Sequence, residues 1–391
     1  MRFWSVLLLL VLAPWVGEYL LGNISIERLP LLPFLVPLYG CGALLVRELT
    51  RRTGRGWPTI FLLATAYGVI EAGLVDQSLF NQTFESLDQT GVTPVPWLGI
   101  SAYNAAAFLV GHAVWSIGVP IALVELWFPS RRDQPWLGPV GLSFTALGYL
   151  LGCWLIFKDL RDQEGFLAAP HQLTVAAVTA IALIILSFLI PRRRLSPPAG
   201  DHPPPLRPSA TGMVPSVAPP KRRAAPADGR SWPRRSWASG VVALVGPHRR
   251  RAPTADGRAG PPRPWVVGVV TFVTASAHAA VPENWLGFGI DVVTTSIAAV
   301  TVAWLARRPG WGDRHLLGLL AGALLTYAWL AFVLTSLYGP DDRLRWIGNG
   351  VFAATAVLLL VVTRWVVGRR EMRPAHAPEG VSERRLAGHG R

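Results

Sequence analysis

Charge is scarce in this chain. Asp, Glu, Lys and Arg make up 15% of its 391 residues, where a soluble domain carries about 25%. Lysine occurs only at Lys158 and Lys221. Cysteine is limited to Cys41 and Cys153, both inside apolar runs. Two such cysteines exclude a disulfide framework and a cysteine-built zinc cluster. G-x-x-x-x-G-K-[ST] and H-E-x-x-H do not occur, and G-x-S-x-G has no strand-turn-helix context. Phosphate-loop and zinc-protease chemistry are thereby excluded, and neither a cofactor nor a metal is expected.

What fills the space is apolar. Hydrophobic residues make up 51% of the chain, with 17 Trp. Apolar runs near 20 residues recur, the length that crosses about 30 Å of hydrocarbon at about 1.5 Å per residue. The expected fold is an all-α polytopic transmembrane helical bundle of about ten spans, whose first partner is the lipid bilayer. The runs fall at roughly 3–22, 29–48, 57–79, 99–128, 136–157, 172–191, 265–282, 287–306, 315–338 and 346–368. The first, "RFWSVLLLLVLAPW", has only Arg2 as a basic leader and stays apolar to Leu21, so it is expected to be a retained span rather than a signal peptide. Pro120 inside the fourth run is a cause for a kink.

The net charge of +14 is uneven. Residues 192–264 hold fifteen Arg or Lys against three Asp, and 16 of the 34 prolines. In that segment "RRAAPADGR" (222–230) recurs as "RRAPTADGR" (250–258). Two copies are too few for a solenoid, and the composition predicts a disordered basic cytoplasmic linker. Anionic lipid headgroups are its expected partner if it binds anything; nucleic acid is not expected. "WASGVVALVG" (237–246) is too short to span and suits the membrane surface. The chain therefore divides into a six-span part (1–191), the linker (192–264), a four-span part (265–370) and a disordered basic tail (371–391).

Orientation follows from basic residues in short loops. Arg47, Arg51, Arg52 and Arg55 follow span 2, Arg131 and Arg132 follow span 4, and Arg307, Arg308 and Arg314 follow span 8. With the linker, these share one side if spans alternate. The opposite loops after spans 3 and 7 carry no Lys or Arg. Both termini are therefore expected in the cytoplasm. The Arg, Ala, Pro and Gly bias resembles a GC-rich bacterial genome, so the expected location is a bacterial plasma membrane.

Ionisable groups inside spans are the candidate functional residues. A central charge costs about 2.5–3.5 kcal/mol on insertion scales, so such a group usually faces a bundle interior or wet cavity. Glu18, Glu71, Asp76, His112, Glu125, His278 and Asp291 qualify. Depth separates them. Glu71 lies roughly 21 Å from the inner face and about 9 Å from the outer one. Asp76 is at the outer interface. Glu125 sits at the inner end of span 4, where it is expected to snorkel to water or pair with Arg131 or Arg132. Glu71 and His112 are the most deeply placed. Tyr67, Glu71 and Ser78 share one helical stripe, and Asn104, Phe108, His112 and Ser116 share an i, i+4 row. Small residues Ala105, Ala106, Ala107 and Gly111 allow close helix approach. Pro120 frees the Ser116 carbonyl. A facing Glu and His can act as base and acid on water. The same pair can be a structural strut or a station on a proton path. Glu71 and His112 are thus the catalytic candidates, with Glu18 and Asn104 as supporting polar groups.

The fragments "YGCGALLVRELTRRTGRGWP", "YGVIEAGLVDQSLFN" and "GHAVWSIGVPIALVE" resemble uncharacterised multi-pass membrane proteins of actinobacteria and related bacteria over roughly residues 35–128. That resemblance brings no assigned activity. Glu71 with "FLVGH" (108–112) is similar to motifs of the CPBP-type intramembrane glutamate proteases. There, Glu-Glu-x-x-x-Arg and Phe-x-x-x-His precede a later His-x-x-x-Asn or Asp. Glu71 matches the first glutamate, and Phe108 and His112 match the second motif. Ala72 stands in place of the second glutamate, no Arg follows, and His278 is followed by Pro282. The resemblance implies an intramembrane hydrolase in which Glu71 activates water and His112 assists. A transporter or permease and a non-catalytic scaffold remain open, and the substrate is unspecified. Approach of the Glu71 carboxylate to within about 4 Å of the His112 ring is the condition on the site.

Overall fold

A segment in hydrocarbon must satisfy its backbone groups internally, which a helix does alone. The computed structural model of the chain is built almost wholly of such helices. It describes residues 2–84, 88–192, 260–338 and 342–372. The expected basic linker, its repeat and the C-terminal tail lie outside these residues, apart from their first and last few positions.

Ten apolar helices occupy the ten expected runs: α1 (Phe3–Tyr19), α2 (Ile26–Arg52), α3 (Trp57–Val75), α4 (Ala102–Trp127), α5 (Pro139–Glu164), α6 (Pro170–Leu189), α7 (Pro264–Ala280), α8 (Trp285–Leu305), α9 (Asp313–Leu337) and α10 (Arg343–Glu371). Eight are 19 to 29 residues long and apolar enough to cross a bilayer, while α1 and α7 are shorter apolar helices. The chain is therefore an all-α, multi-pass membrane protein. Several ends differ from the expected limits by three or four residues, and α5 runs seven residues further, to Glu164. α3 stops at Val75, and a short hairpin of β1 (Pro94–Val95) and β2 (Ile100–Ser101) precedes α4. Gly99 turns that hairpin at φ +67°, a value a side chain rarely adopts.

Burial ranks the helices. The most apolar windows of α3 and α4 are 67% and 61% buried inside the protein, against 11% for α5 and α8. α3 and α4 are thus the centre, with α1 and α2 against them. α6 covers α3, α5 covers α2, and α9 and α10 lie on α4. Leu9, Leu44, Ile60, Ile117, Leu123 and Leu324 are fully enclosed in one core. The peripheral helices turn Phe144, Leu147, Trp154, Leu286 and Val300 outward, a surface suited to lipid and costly in water. The six-span and four-span parts belong to one compact unit. α7 and α9 approach closely at Gly268, Gly318 and Gly322, where added Cβ atoms would strike the facing backbone.

The end of the bundle carrying the Arg-rich α2 terminus is tied by charge. Glu125 neither snorkels to water nor pairs with Arg131 or Arg132. It lies 3% exposed on the face of α4 toward α2. There it receives Arg51 at 3.0 and 2.7 Å and Arg47 Nε at 3.2 Å. Proximity along the chain suggested the wrong arginines, because Arg131 and Arg132 leave on the turn after α4. Their backbone carbonyls instead accept from Arg47 Nη2 at 2.9 and 3.1 Å. Arg47 also holds Glu48 at 2.8 Å and lies 3.3 Å over the Trp136 ring, a stacked cation–π contact. Glu48 accepts the Trp136 and Leu137 N–H groups at 2.8 and 3.1 Å. The α4–α5 turn is thereby fixed to α2.

Glu125→Ala would leave two buried guanidinium groups without their shared anion, so it is expected to destabilise the protein by about 3–5 kcal/mol. Chemical unfolding in detergent measures this. A loss below about 1 kcal/mol would show that the pairing is dispensable.

Candidate functional site

The helices at the centre are not α-helical throughout. A π-helical turn bonds i to i+5, accommodates one extra residue and is rare; such bulges cluster at functional sites. The described residues contain π segments at Trp15–Tyr19 in α1, Val36–Gly40 in α2, Glu71–Val75 in α3 and His112–Gly118 in α4. Each carries one member of a single cluster: Glu18, Tyr39, Glu71 and His112. Proline explains part of this. Pro14 precedes the first segment, Pro37 lies within the second and Pro120 follows the fourth. Each removes an N–H from the ladder and frees a carbonyl one turn earlier. Gly40 of α2 packs on Leu10 of α1, the residue whose carbonyl Pro14 leaves free; an added Cβ would sit 2.5 Å from that oxygen. Gly17 similarly lets α1 meet α4, since a Cβ there would lie 2.8 Å from Ser116 Oγ.

Glu71 and His112 do meet. Glu71 Oε2 is in direct contact with His112 Nε2, and Glu71 is 3% exposed. The other ring nitrogen, Nδ1, lies 2.7 Å from the Phe108 carbonyl oxygen. A carbonyl only accepts, so Nδ1 carries hydrogen and Nε2 is the nitrogen that exchanges a proton with Glu71. Tyr39 Oη lies 2.7 Å from Glu71 Oε1 and 2.6 Å from Glu18 Oε1. Asn23 Nδ2 donates to Glu18 Oε2 at 3.2 Å. A phenol has one hydrogen to give. The two short contacts at Tyr39 therefore need a second hydrogen, supplied from the carboxyl side. The result is a hydrogen-bonded row of Glu18, Tyr39, Glu71 and His112 drawn from four helices. The Tyr39 ring stacks on His112 at 6.4 Å and 20°.

Glu18 is therefore linked to the pair through Tyr39. Asn104 is not. It lies in the first turn of α4, eight residues and roughly 12 Å along the helix from His112. Its amide bonds Gln89 Oε1 at 2.7 Å, and its N–H bonds Ser101 Oγ at 3.2 Å. A shared row on a helix fixes direction and leaves depth open. Tyr67 stands beside the pair, 6.2 Å from the His112 ring. Ser78 lies past the end of α3, where Asp76 caps the turn by accepting the Ser78 N–H at 2.9 Å.

Tyr39 was not anticipated. Tyrosine is common near membrane interfaces, and no spacing rule connects it to Glu71; "VPLYG", with proline beside a tyrosine inside a span, is the local signal. A second pair also emerges. His278 Nδ1 of α7 lies 2.6 Å from Asp291 Oδ1 of α8, and Thr295 Oγ1 donates to the same oxygen at 3.3 Å. The His278 ring lies 6.5 Å from Trp115 at 16°, and Trp115 stacks on Tyr327 at 4.5 Å and 1°. Trp115 belongs to the same π segment as His112, so the rear pair abuts the first site through aromatic rings. Among the described residues, no group of three or more His, Cys, Asp or Glu is placed to hold a metal.

Comparison with known families, curated proteins and solved structures finds no match, so the chemistry is argued from this geometry.

Tyr39→Phe keeps the ring and deletes the hydroxyl between the buried Glu71 and the half-buried Glu18 carboxyl groups. It is expected to lower stability by about 1–3 kcal/mol, measured by thermal unfolding in detergent. Asn104→Ala is expected to lower the midpoint by no more than about three degrees, because it removes one part-buried hydrogen bond worth about 1 kcal/mol.

Proposed function

We propose that the protein is a membrane-embedded hydrolase in which Glu71 is the general base that activates water and His112 is its acid partner. The observation that carries this reading is the convergence of four π-helical segments on one row, Glu18–Tyr39–Glu71–His112. A strut needs one satisfied pair. This arrangement places two further proton-holding groups behind the pair at the cost of four irregular backbones. Tyr39 and Asn23 orient the carboxyl groups, and the Phe108 carbonyl sets the imidazole tautomer. The resemblance of Glu71 and Phe108–His112 to the intramembrane glutamate proteases supports the same chemistry.

The hydrogen-bonded row itself favours a second reading, proton-coupled transport. Transport needs polar groups continuing toward the other face. The ionisable groups there, Arg47, Glu48, Arg51 and Glu125, are committed to one another and to backbone carbonyls. We assign the protein to the plasma membrane with both termini cytoplasmic, from the distribution of Arg among the loops.

Glu71→Gln keeps the shape and removes the base. Reconstituted wild type and variant are to be compared on a panel of membrane-embedded peptides and esters. The variant is expected to lose about 10²–10⁴-fold of the activity while its thermal midpoint stays near that of wild type. Loss of folding without a separable loss of turnover would favour the strut. Proton uptake into vesicles abolished by the same change would favour transport. The orientation has its own check: a reporter active only in the cytoplasm, fused after Gly99, should be silent, and activity there would invert the assignment.

A further inference from the structure

The Glu71–His112 pair leaves one neighbouring group without a role. Tyr67 is 3% exposed, and its hydroxyl has no hydrogen-bond partner among the described residues. Buried tyrosine hydroxyls usually find one. Its ring is clamped on three sides, 6.2 Å from Tyr39, 6.2 Å from His112 and 6.0 Å from Tyr149. Gly42 makes the space, since a Cβ there would lie 2.5 Å from Tyr67 Cε2. Tyr67 also stands one α-helical turn before Glu71, whose N–H bonds the Tyr67 carbonyl. Phenylalanine would pack equally well in this place. The hydroxyl is therefore a donor held by packing, beside the base, with its hydrogen uncommitted.

We propose that Tyr67 is a catalytic residue of the Glu71–His112 site and donates a hydrogen bond to the carbonyl oxygen of an amide or ester substrate as that oxygen becomes an oxyanion. This rests on the hydrolase reading above. Glu71 takes a proton from water while the water oxygen bonds to the carbonyl carbon. The C=O electron pair moves to oxygen, which Tyr67 Oη–H then stabilises without transferring its proton. As the C=O bond re-forms, the bond to the leaving nitrogen or oxygen breaks. His112 Nε2–H protonates that atom, and the proton on Glu71 passes to Nε2. Water is consumed, an acid and an amine or alcohol leave, and both side chains return to their starting state. A donor fixed in place before the charge develops needs no reorganisation at the transition state.

The test uses the full chain reconstituted in vesicles and a hydrophobic peptide aldehyde, whose hydrate carries an oxygen where the oxyanion forms. Wild type is expected to bind this probe and Glu71→Gln to lose it. Tyr67→Phe should bind about 10²-fold more weakly. The same variant should have a thermal midpoint equal to or above that of wild type, because it deletes an unpaired buried hydroxyl. A residue with only a structural role would not separate the two readouts in that direction. If wild type binds the aldehyde, Glu71→Gln abolishes binding and Tyr67→Phe leaves it unchanged, the role of Tyr67 is overturned and the hydrolase reading stands. A lower midpoint in Tyr67→Phe also overturns the role, by revealing a resting partner. If wild type does not bind the aldehyde at all, both fall.

Discussion

The contact between Glu71 and His112 constrains everything around it. A carboxylate at that depth costs several kcal/mol unless donors surround it. One imidazole covers one oxygen, and the other takes the Tyr39 hydroxyl. Tyr39 in turn reaches Glu18. Three helices must therefore meet α3 at one level, and none presents the needed side chain through regular turns alone. The π segments add the extra residue that rotates each group inward. Gly17 and Gly40 remove the side chains that would keep α1, α2 and α4 apart. The heavy burial of α3 and α4 follows from this demand.

A second polar cluster, of a different kind, fixes the same helices at the Arg-rich end. Arg47, Arg51, Glu48 and Glu125 balance two positive charges against two negative ones, while Arg47 Nη2 donates to carbonyls of the α4–α5 turn and Arg51 Nη1 to the Arg55 carbonyl. Each charge here faces an opposite one, which suits a clamp. The Glu71 cluster shares hydrogens along its row, which suits proton transfer, and has an uncommitted hydroxyl donor beside it. The contrast between the two clusters is the physical basis for placing chemistry at one and anchoring at the other. Between them the interior is apolar, with Ile60, Leu63, Ile117 and Ile121 filling it.

Much of this was legible in the residues, for identifiable reasons. Spans are long runs with a strong composition signal, so an apolar helix stands at each expected position among the described residues, eight of them long enough to cross a bilayer. The Glu71–His112 meeting was legible because a buried carboxylate demands a partner and His112 was the one group at similar depth. Other features were not legible. The 3.6-residue period cannot register a π turn, so the inward rotation of Glu18 and Tyr39 was invisible. Asn104 shares a row with His112, yet it lies two turns away in the first turn of α4, bonded to Gln89. Glu125 went to arginines on another helix rather than to its neighbours in the chain. His278 and Asp291 looked like separate candidates, because nothing in their spacing announces a helical hairpin that joins them.

The central claim is that Nε2 of His112 exchanges a proton with Glu71 while Nδ1 stays tied to the Phe108 carbonyl. Nitrogen-15 NMR of the His112 imidazole in bilayers, in wild type and Glu71→Gln, tests it most directly. The geometry predicts a protonated Nδ1 in both proteins and an Nε2 resonance that moves strongly when the carboxylate is removed. An imidazole spectrum unchanged by Glu71→Gln would contradict it.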